Sequence, residues 1–346
     1  MDAVQEELHK EKHARYFKTC LGILPYRLVS IDTTRLSIIY FSLSGLDLLG
    51  EIDSLTNQKQ QIIDWIYGLQ IQKKGLDFSG FRGSTTYISN FLMPGHTGEK
   101  EEELCCDYDC THIAMTYTGI ASLLILGDDL SKINKAAILE GVKSLQLPSG
   151  SFLASKCGEE NDMRFVYCAV SICYMLQNWS AINIDGIISY IRSCMTYDNS
   201  IGMQIGGESH GGFLYCAVAS LVMMDKLHDT FSQQEIDMMI KWCVMKQNIG
   251  FHGRTEKEDD TCYAFWIGAT LKMLGGFHLF HHQKLKSFVL SNQDGMTGGL
   301  GKYKDSPPDP LHTYLGIAGL SLLEHSTLLP LNPALNVSTR ASNCLN

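Results

Sequence analysis

Two kinds of apolar segment alternate along this 346-residue chain. In one kind nearly every position is apolar or small, as in residues 34–50, whose pattern predicts a helix ended by Gly50. The other kind is amphipathic, as in residues 183–194 and 232–245. A helix apolar on all sides has to be interior, and an amphipathic one lies outside it with one face turned inward. Residues 1–20 read as a polar amphipathic helix and residues 62–70 as another short helix. Residues 71–109, with Gly, Pro and the acidic run Glu99 to Glu103, read as a long loop. Alternating β-branched runs are nearly absent, so the pattern predicts an all-α protein.

A repeat underlies the alternation. A Gln followed by a Gly-containing turn recurs as Gln70 with Gly80-Phe81, Gln146 with Gly150, Gln247 with Gly250-Phe251 and Gln293 with Gly298-Gly299. The later copies are spaced by about 50 residues, with a degenerate copy near Tyr197-Asp198-Asn199. After each turn a polar lead-in opens an apolar helix: Asp109 to His112, Asp162 to Phe165, Glu208 to His210, Asp260 to Tyr263 and Asp309 to His312. Such residues suit helix N-caps. Five or six helix pairs of this kind form either an open solenoid or a closed α/α barrel with the apolar helices innermost. In a closed ring the lead-ins converge at one end.

That convergence gives three residues a chemical reading. Asp260 and Cys262 open one repeat and His312 opens the next, at matching places. Asp, Cys and His are zinc ligands, and three protein ligands with one open position make a catalytic site. The same residues also read as an N-cap, a core thiol and a capped imidazole, and D-x-C is not a strong motif. His210, Arg254, Lys257 and Tyr263 also fall at repeat starts. On one barrel mouth they would form a cationic patch for a polyanion such as diphosphate; Arg254 and Lys257 read equally as a solvated loop. Phe165, Tyr167, Tyr174, Tyr263, Phe265, Trp266 and Tyr314 are expected around an interior able to hold a long hydrocarbon. Asp128-Asp129 reads as a turn. Neither the D-x-D-D acid of terpene cyclases nor the D-D-x-x-D magnesium motif of isoprenoid synthases occurs.

Composition narrows the classes. With 45% hydrophobic and 19% charged residues, the chain can bury a large core, and residues 1–346 are read as one domain. A net charge of -9 argues against nucleic acid. No charge-free apolar run reaches the roughly 18 residues of a membrane span. The charged N-terminus has no apolar signal core. Twelve Cys without C-x-x-C pairs read as reduced thiols, so a cytoplasmic location is expected and the sequons at Asn178 and Asn336 are silent.

Several segments together resemble a known family: Arg35-Leu-Ser-Ile with Ser44-Gly-Leu-Asp, Gly80-Phe-Arg-Gly-Ser, His112-Ile-Ala-Met-Thr-Tyr-Thr-Gly, Ile125-Leu-Gly-Asp-Asp-Leu-Ser, Asn161-Asp-Met-Arg-Phe-Val-Tyr-Cys-Ala, Glu208-Ser-His-Gly-Gly, Asp260-Thr-Cys-Tyr and Ala334-Leu-Asn-Val-Ser-Thr-Arg. The chain resembles the beta subunits of the protein prenyltransferases over nearly its whole length, and among them the type I geranylgeranyltransferase branch. Residues 71–109 match poorly.

The resemblance implies an α/α barrel, or toroid, and zinc held by Asp260, Cys262 and His312. It implies that His210, Arg254, Lys257 and Tyr263 hold the diphosphate of geranylgeranyl diphosphate. Arg164 would bind the peptide, and His112, Ala114 and Phe165 would shape a pocket for the last residue, mostly Leu, of a C-terminal CaaX box. Lys302 stands where farnesyltransferases carry a magnesium-binding Asp, so Lys302 joins the catalytic set and magnesium is expected to be dispensable. Ser37 replaces a bulky Trp of the farnesyl branch and leaves room for a fourth isoprene unit. This branch usually has Thr at the Ser37 position and Phe at Leu315. The resemblance also implies a heterodimer with an alpha subunit and small GTPases of the Rho type as substrates. The alternatives are a farnesyltransferase beta subunit, which Lys302 and Ser37 oppose; a Rab-type beta subunit, which would ignore short CaaX peptides; and a non-catalytic toroidal scaffold, which would lack stoichiometric zinc.

Overall fold

The structure, a computed structural model, describes residues 7–24, 26–71, 79–85 and 110–345. Most of the expected 71–109 loop, with Glu99 to Glu103 and the lead-in Asp109, lies outside the described residues. The helices are α1 (Lys10–Leu21), α2 (Arg35–Leu48), α3 (Lys59–Gly68), α4 (Ile113–Ile125), α5 (Lys135–Leu145), α6 (Met163–Met175), α7 (Ile184–Ser193), α8 (Gly211–Met223), the single turn α9 (Leu227–Thr230), α10 (Gln233–Val244), α11 (Tyr263–Leu274), α12 (His282–Ser291), α13 (Pro310–Leu322) and the short α14 (Thr339–Ser342). The first helix begins later than its polar pattern suggests.

The ring is closed. Helices α2, α4, α6, α8, α11 and α13 each pack on the next, and α13 packs back on α2. These are the all-round apolar helices; in α4, for example, every residue from Met115 to Ile125 is buried. Each is preceded in the chain by an outer helix: α1, α3, α5, α7, α10 or α12. The outer helices bury one face only, as α7 does with Ile187, Tyr190 and Ile191. An open solenoid would have left the interior faces of its end helices in water, a cost that closure removes.

The repeated Gln is the clasp between neighbouring pairs. Gln146 accepts from Asn183 N–H at 2.7 Å and donates to its carbonyl at 3.1 Å. Gln247 does the same to His281, at 2.8 and 2.9 Å. Gln70 accepts from Asn134 N–H at 3.2 Å. Each target caps the following outer helix, where backbone groups have no helical partner. Gln293 accepts from His9 N–H at 2.8 Å and donates to the Glu7 carbonyl at 3.0 Å, so the same clasp joins the last outer helix to the first. This bond makes His9 the cap of α1 and sets its late start. In the degenerate copy Met195 takes the Gln place in the turn, and Arg192 reaches the Thr230 carbonyl at 3.2 Å instead.

Inside the ring, Tyr40, Tyr117, Tyr167, Tyr215 and Tyr314, from five of the six inner helices, donate to backbone carbonyls of residues 333–336. Four of them sit five residues after a helix lead-in, and Phe265 holds the matching place on α11. The segment is anchored further by Arg340, whose guanidinium lies 2.8 Å from the fully buried Asp47. Tyr174 departs from the sequence expectation. It lies at the far end of α6 with its ring against Trp179, centroids 6.4 Å apart. No helix among the described residues is long and apolar enough to cross a membrane.

Candidate metal and anion site

The lead-in residues stand at the starts of the inner helices, at one end of the barrel: His112, Asp162, His210 and Asp309 are N-caps, and Asp260 lies two residues before Cys262, the N-cap of α11. The side chains of His112, Asp162, His210 and Asp260 each accept the N–H two residues on, at 3.1, 2.8, 3.0 and 2.9 Å. Asp309 accepts from His312 N–H at 2.9 Å. Capping therefore fixes carboxylates and imidazoles at the starts of adjacent inner helices, and their remaining polar atoms are available for other work.

Asp260, Cys262 and His312 each bring one ligand atom to within 4.8 Å of the others. They come from adjacent repeats but not from matching places. Cys262 is two residues after the lead-in Asp260 and His312 three after Asp309, the equivalent of Cys262 being Leu311. The His312 ring is held between two acids, with Nδ1 2.6 Å from Asp309 Oδ2 and Nε2 3.3 Å from Asp260 Oδ1. Burial alone would lower its pKa, but the bonds to Asp260 and Asp309 outweigh this and hold it up at about 9. Burial pushes the Cys262 thiol well up, and the Asp260 carboxylate pushes it further. Burial opposes the charge on Asp260 too, yet its bonds to His312 and Cys262 keep its pKa below the ordinary value.

A buried thiol, a carboxylate and an imidazole oriented by a second carboxylate suit a divalent metal. The His312–Asp309 bond is the outer-shell partner that metal-binding histidines use.

Next to these residues opens a cavity of about 430 Å³ whose walls include His210, Arg254, Lys257, Asp260, Tyr263 and Lys302. All four residues assigned to a diphosphate thus meet there, together with Lys302, whose Nζ is 3.7 Å from Asp260 Oδ2. His210 Nδ1 accepts from Gly212 N–H, so the neutral ring carries its proton on Nε2. That proton is donated to Tyr263 Oη at 2.9 Å, which leaves the tyrosine O–H free to donate elsewhere. Burial, aided by Arg254, lowers the His210 pKa to about 4 and keeps it neutral. Gly253 makes the Tyr263 position possible: a Cβ there would lie 1.9 Å from the ring's Cζ.

Glu256, Glu258 and Asp259 also line the cavity and were not expected. Their place in a charged run gave no signal beyond a solvated loop. Arg254 is paired with Glu208 at 3.1 Å.

The remaining expected residues form separate groups. Arg164, half exposed, binds Asp162 and Glu160, each at 2.6 Å, and lies over the Phe165 ring. Phe165 meets His112 edge to face at 5.8 Å, and Ala114 donates its N–H to His112. Ser37 is on α2 with its hydroxyl 3.6 Å from Met115 Sδ on α4, a neighbour not foreseen. None of these five lines the cavity above.

Residues 8–337 match the prenyltransferase alpha-alpha toroid domain. The chain is 38% identical to a geranylgeranyl transferase type-1 subunit beta of Arabidopsis thaliana, covering 96% of this chain and 90% of that one. It is 37% identical to the subunit of the same name from Dictyostelium discoideum, covering 97% and 96%. The fold is similar to that of Candida albicans protein geranylgeranyltransferase-I complexed with GGPP, with a TM-score of 0.86, 25% identity and 98% of each chain covered. A closed ring of apolar helices with capped lead-ins, together with these relatives, places the chain in the prenyltransferase alpha-alpha toroid family, among the type-1 geranylgeranyl transferase beta subunits.

Proposed function

We propose that this chain catalyses S-alkylation of a protein cysteine by geranylgeranyl diphosphate. The observation that carries the reading is the Asp260–Cys262–His312 cluster at the edge of the cavity that Arg254, Lys257 and Lys302 line. Asp260, Cys262 and His312 would hold zinc, which when bound keeps a substrate sulfur as thiolate at neutral pH. The sulfur forms a thioether with C1 of the lipid as the bond from C1 to the diphosphate oxygen breaks.

Charge then grows on the departing diphosphate, and donors already aimed at it lower the barrier. Arg254, Lys257 and Lys302 supply cations, and the free O–H of Tyr263 supplies a neutral donor held in place by His210. The ammonium of Lys302 takes the place of a magnesium ion, so magnesium is dispensable. Arg164, His112, Ala114 and Phe165 receive a CaaX peptide ending mostly in Leu. Ser37, small and half-buried, leaves room for the fourth isoprene unit.

The chain works as the beta subunit of a cytoplasmic heterodimer with a prenyltransferase alpha subunit. Tyr197, Ile249 and Met296 are exposed on turns that lead into the capped ends of the inner helices, and such an apolar rim suits a partner surface. The substrates are CaaX proteins such as Rho-type small GTPases.

The test is single-turnover transfer by the heterodimer to a Cys-a-a-Leu peptide. Geranylgeranyl and farnesyl diphosphate compete, zinc is present and magnesium is chelated. Preferential geranylgeranyl transfer is expected. Farnesyl transfer alone, or strict magnesium dependence, would assign the chain to the farnesyl branch. No transfer to any short peptide would overturn the CaaX reading.

A further inference from the structure

Lys246 lies just after α10 and is 91% hidden from solvent, with a relative exposure of 9%. Among the described residues no carboxylate lies within 4.0 Å of its ammonium. Its Nζ donates to Thr255 Oγ1 at 3.2 Å and sits 4.7 Å from the centroid of the Trp242 ring. The ring is fixed in turn by its Nε1–H, donated to Asp198 Oδ2 at 2.9 Å. Burying an ammonium with one hydroxyl and one aromatic face costs stability, so packing does not account for it.

What the ammonium holds explains it better. Thr255 lies directly after Arg254 and two residues before Lys257, at the middle of residues 252–258. The arc is tied at one end by His252 N–H to the Lys246 carbonyl, at 3.1 Å. Beyond its other end, the Asp259 carboxylate accepts from Ile249 and Gly250 N–H at 3.1 and 2.9 Å. Glu256, at φ 58°, takes a left-handed conformation that a free loop of this sequence would seldom hold. Between the two ties the Gly253 carbonyl accepts from Gly211 N–H at 2.8 Å and Arg254 pairs with Glu208 at 3.1 Å, while the middle of the arc, at Thr255, is held by the bond from Lys246.

We propose that Lys246 is a positioning residue for the anion site: from behind the wall it pins Thr255 and so presents Arg254 and Lys257 to the cavity. It acts through the arc and does not touch the ligand. The inference rests on the reading of the cavity as a diphosphate site.

The test compares Lys246→Met, Lys246→Arg and Thr255→Val in the heterodimer. Geranylgeranyl diphosphate affinity, zinc content and peptide KM are measured for each. Lys246→Met keeps the stem on Trp242 and is expected to weaken lipid diphosphate binding about ten- to a hundredfold, with zinc content and peptide KM unchanged. Lys246→Arg, which keeps a cation and donors, restores most of the affinity. Thr255→Val weakens binding in the same direction and decides the matter should the Met variant fail to fold. Unchanged affinity in Thr255→Val and Lys246→Met, or losses that track loss of zinc, would overturn the assignment of Lys246. Failure of the wild-type heterodimer to bind any lipid diphosphate would instead sink the reading of the cavity.

Discussion

His312 and Asp309 form a short charge-assisted pair, Nδ1 to Oδ2 at 2.6 Å, while the other carboxylate oxygen of Asp309 accepts the His312 N–H. One acid thus caps α13 and orients the imidazole, leaving Nε2 to face Asp260 and Cys262. Outer-shell partners of this kind are worth about ten- to a hundredfold in metal affinity. Asp309→Ala is expected to lose about that much in a zinc competition titration against a chromogenic chelator. Asp309→Asn keeps a cap acceptor and should lose less. Equal zinc affinity in wild type and Asp309→Ala would show that His312 needs no orienting partner.

Cys262→Ser separates metal binding from lipid binding. The thiol is buried beside Asp260 and outside the walls of the cavity. Zinc content should fall below one per heterodimer and transfer should stop, while geranylgeranyl diphosphate affinity stays within about twofold, since no cavity donor is removed. A parallel loss of lipid affinity would mean that the two sites are one.

Lys302 is half exposed and 3.7 Å from Asp260. Lys302→Asp removes an ammonium from the cavity and adds a carboxylate able to bind magnesium. Without magnesium the variant is expected to be slower by about a hundredfold, and millimolar magnesium should restore part of the rate while leaving wild type unaffected. Magnesium titrations of single-turnover rate decide it, and a magnesium-independent variant would remove Lys302 from the leaving-group site.

His13 gives a pH prediction. It is fully buried, accepts from Gly299 N–H at 2.9 Å and bonds Gln293 at 2.8 Å. Burial lowers its pKa to about 4, against the upward pull of Gln293. A histidine depressed in the folded state binds its proton more readily when unfolded. Its contribution is therefore fully present above about pH 6.5 and is lost as pH falls toward 4, by about 3 kcal/mol at most. His13→Gln should flatten the pH dependence of denaturant midpoint in that window, at some cost in stability at pH 7. An unchanged slope would locate the acid sensitivity elsewhere, with His210 the next candidate.

Much of this architecture is written locally. The Gln that marks each repeat is also the clasp between outer helices, so a pattern visible by spacing turned out to have a backbone-pairing role. Asp162 and Asp309 were legible as caps because capping is a property of a few consecutive residues, whereas α11 starts two residues later than Asp260 suggested, with Cys262 at its cap. Tyr174 was misplaced because an aromatic in an apolar helix reads the same whichever way it faces.

By itself the sequence determined that the chain is helical, that its helices come in pairs of one buried and one half-buried member, and that polar side chains open the buried ones; these follow from periodicity and cap chemistry. Tertiary structure decided that α13 returns to α2, that Gln293 reaches His9, and that His312 meets Asp260 from three residues past its cap. Those relationships join residues tens to hundreds of positions apart, and only the curvature of the packed ring sets which of them face each other.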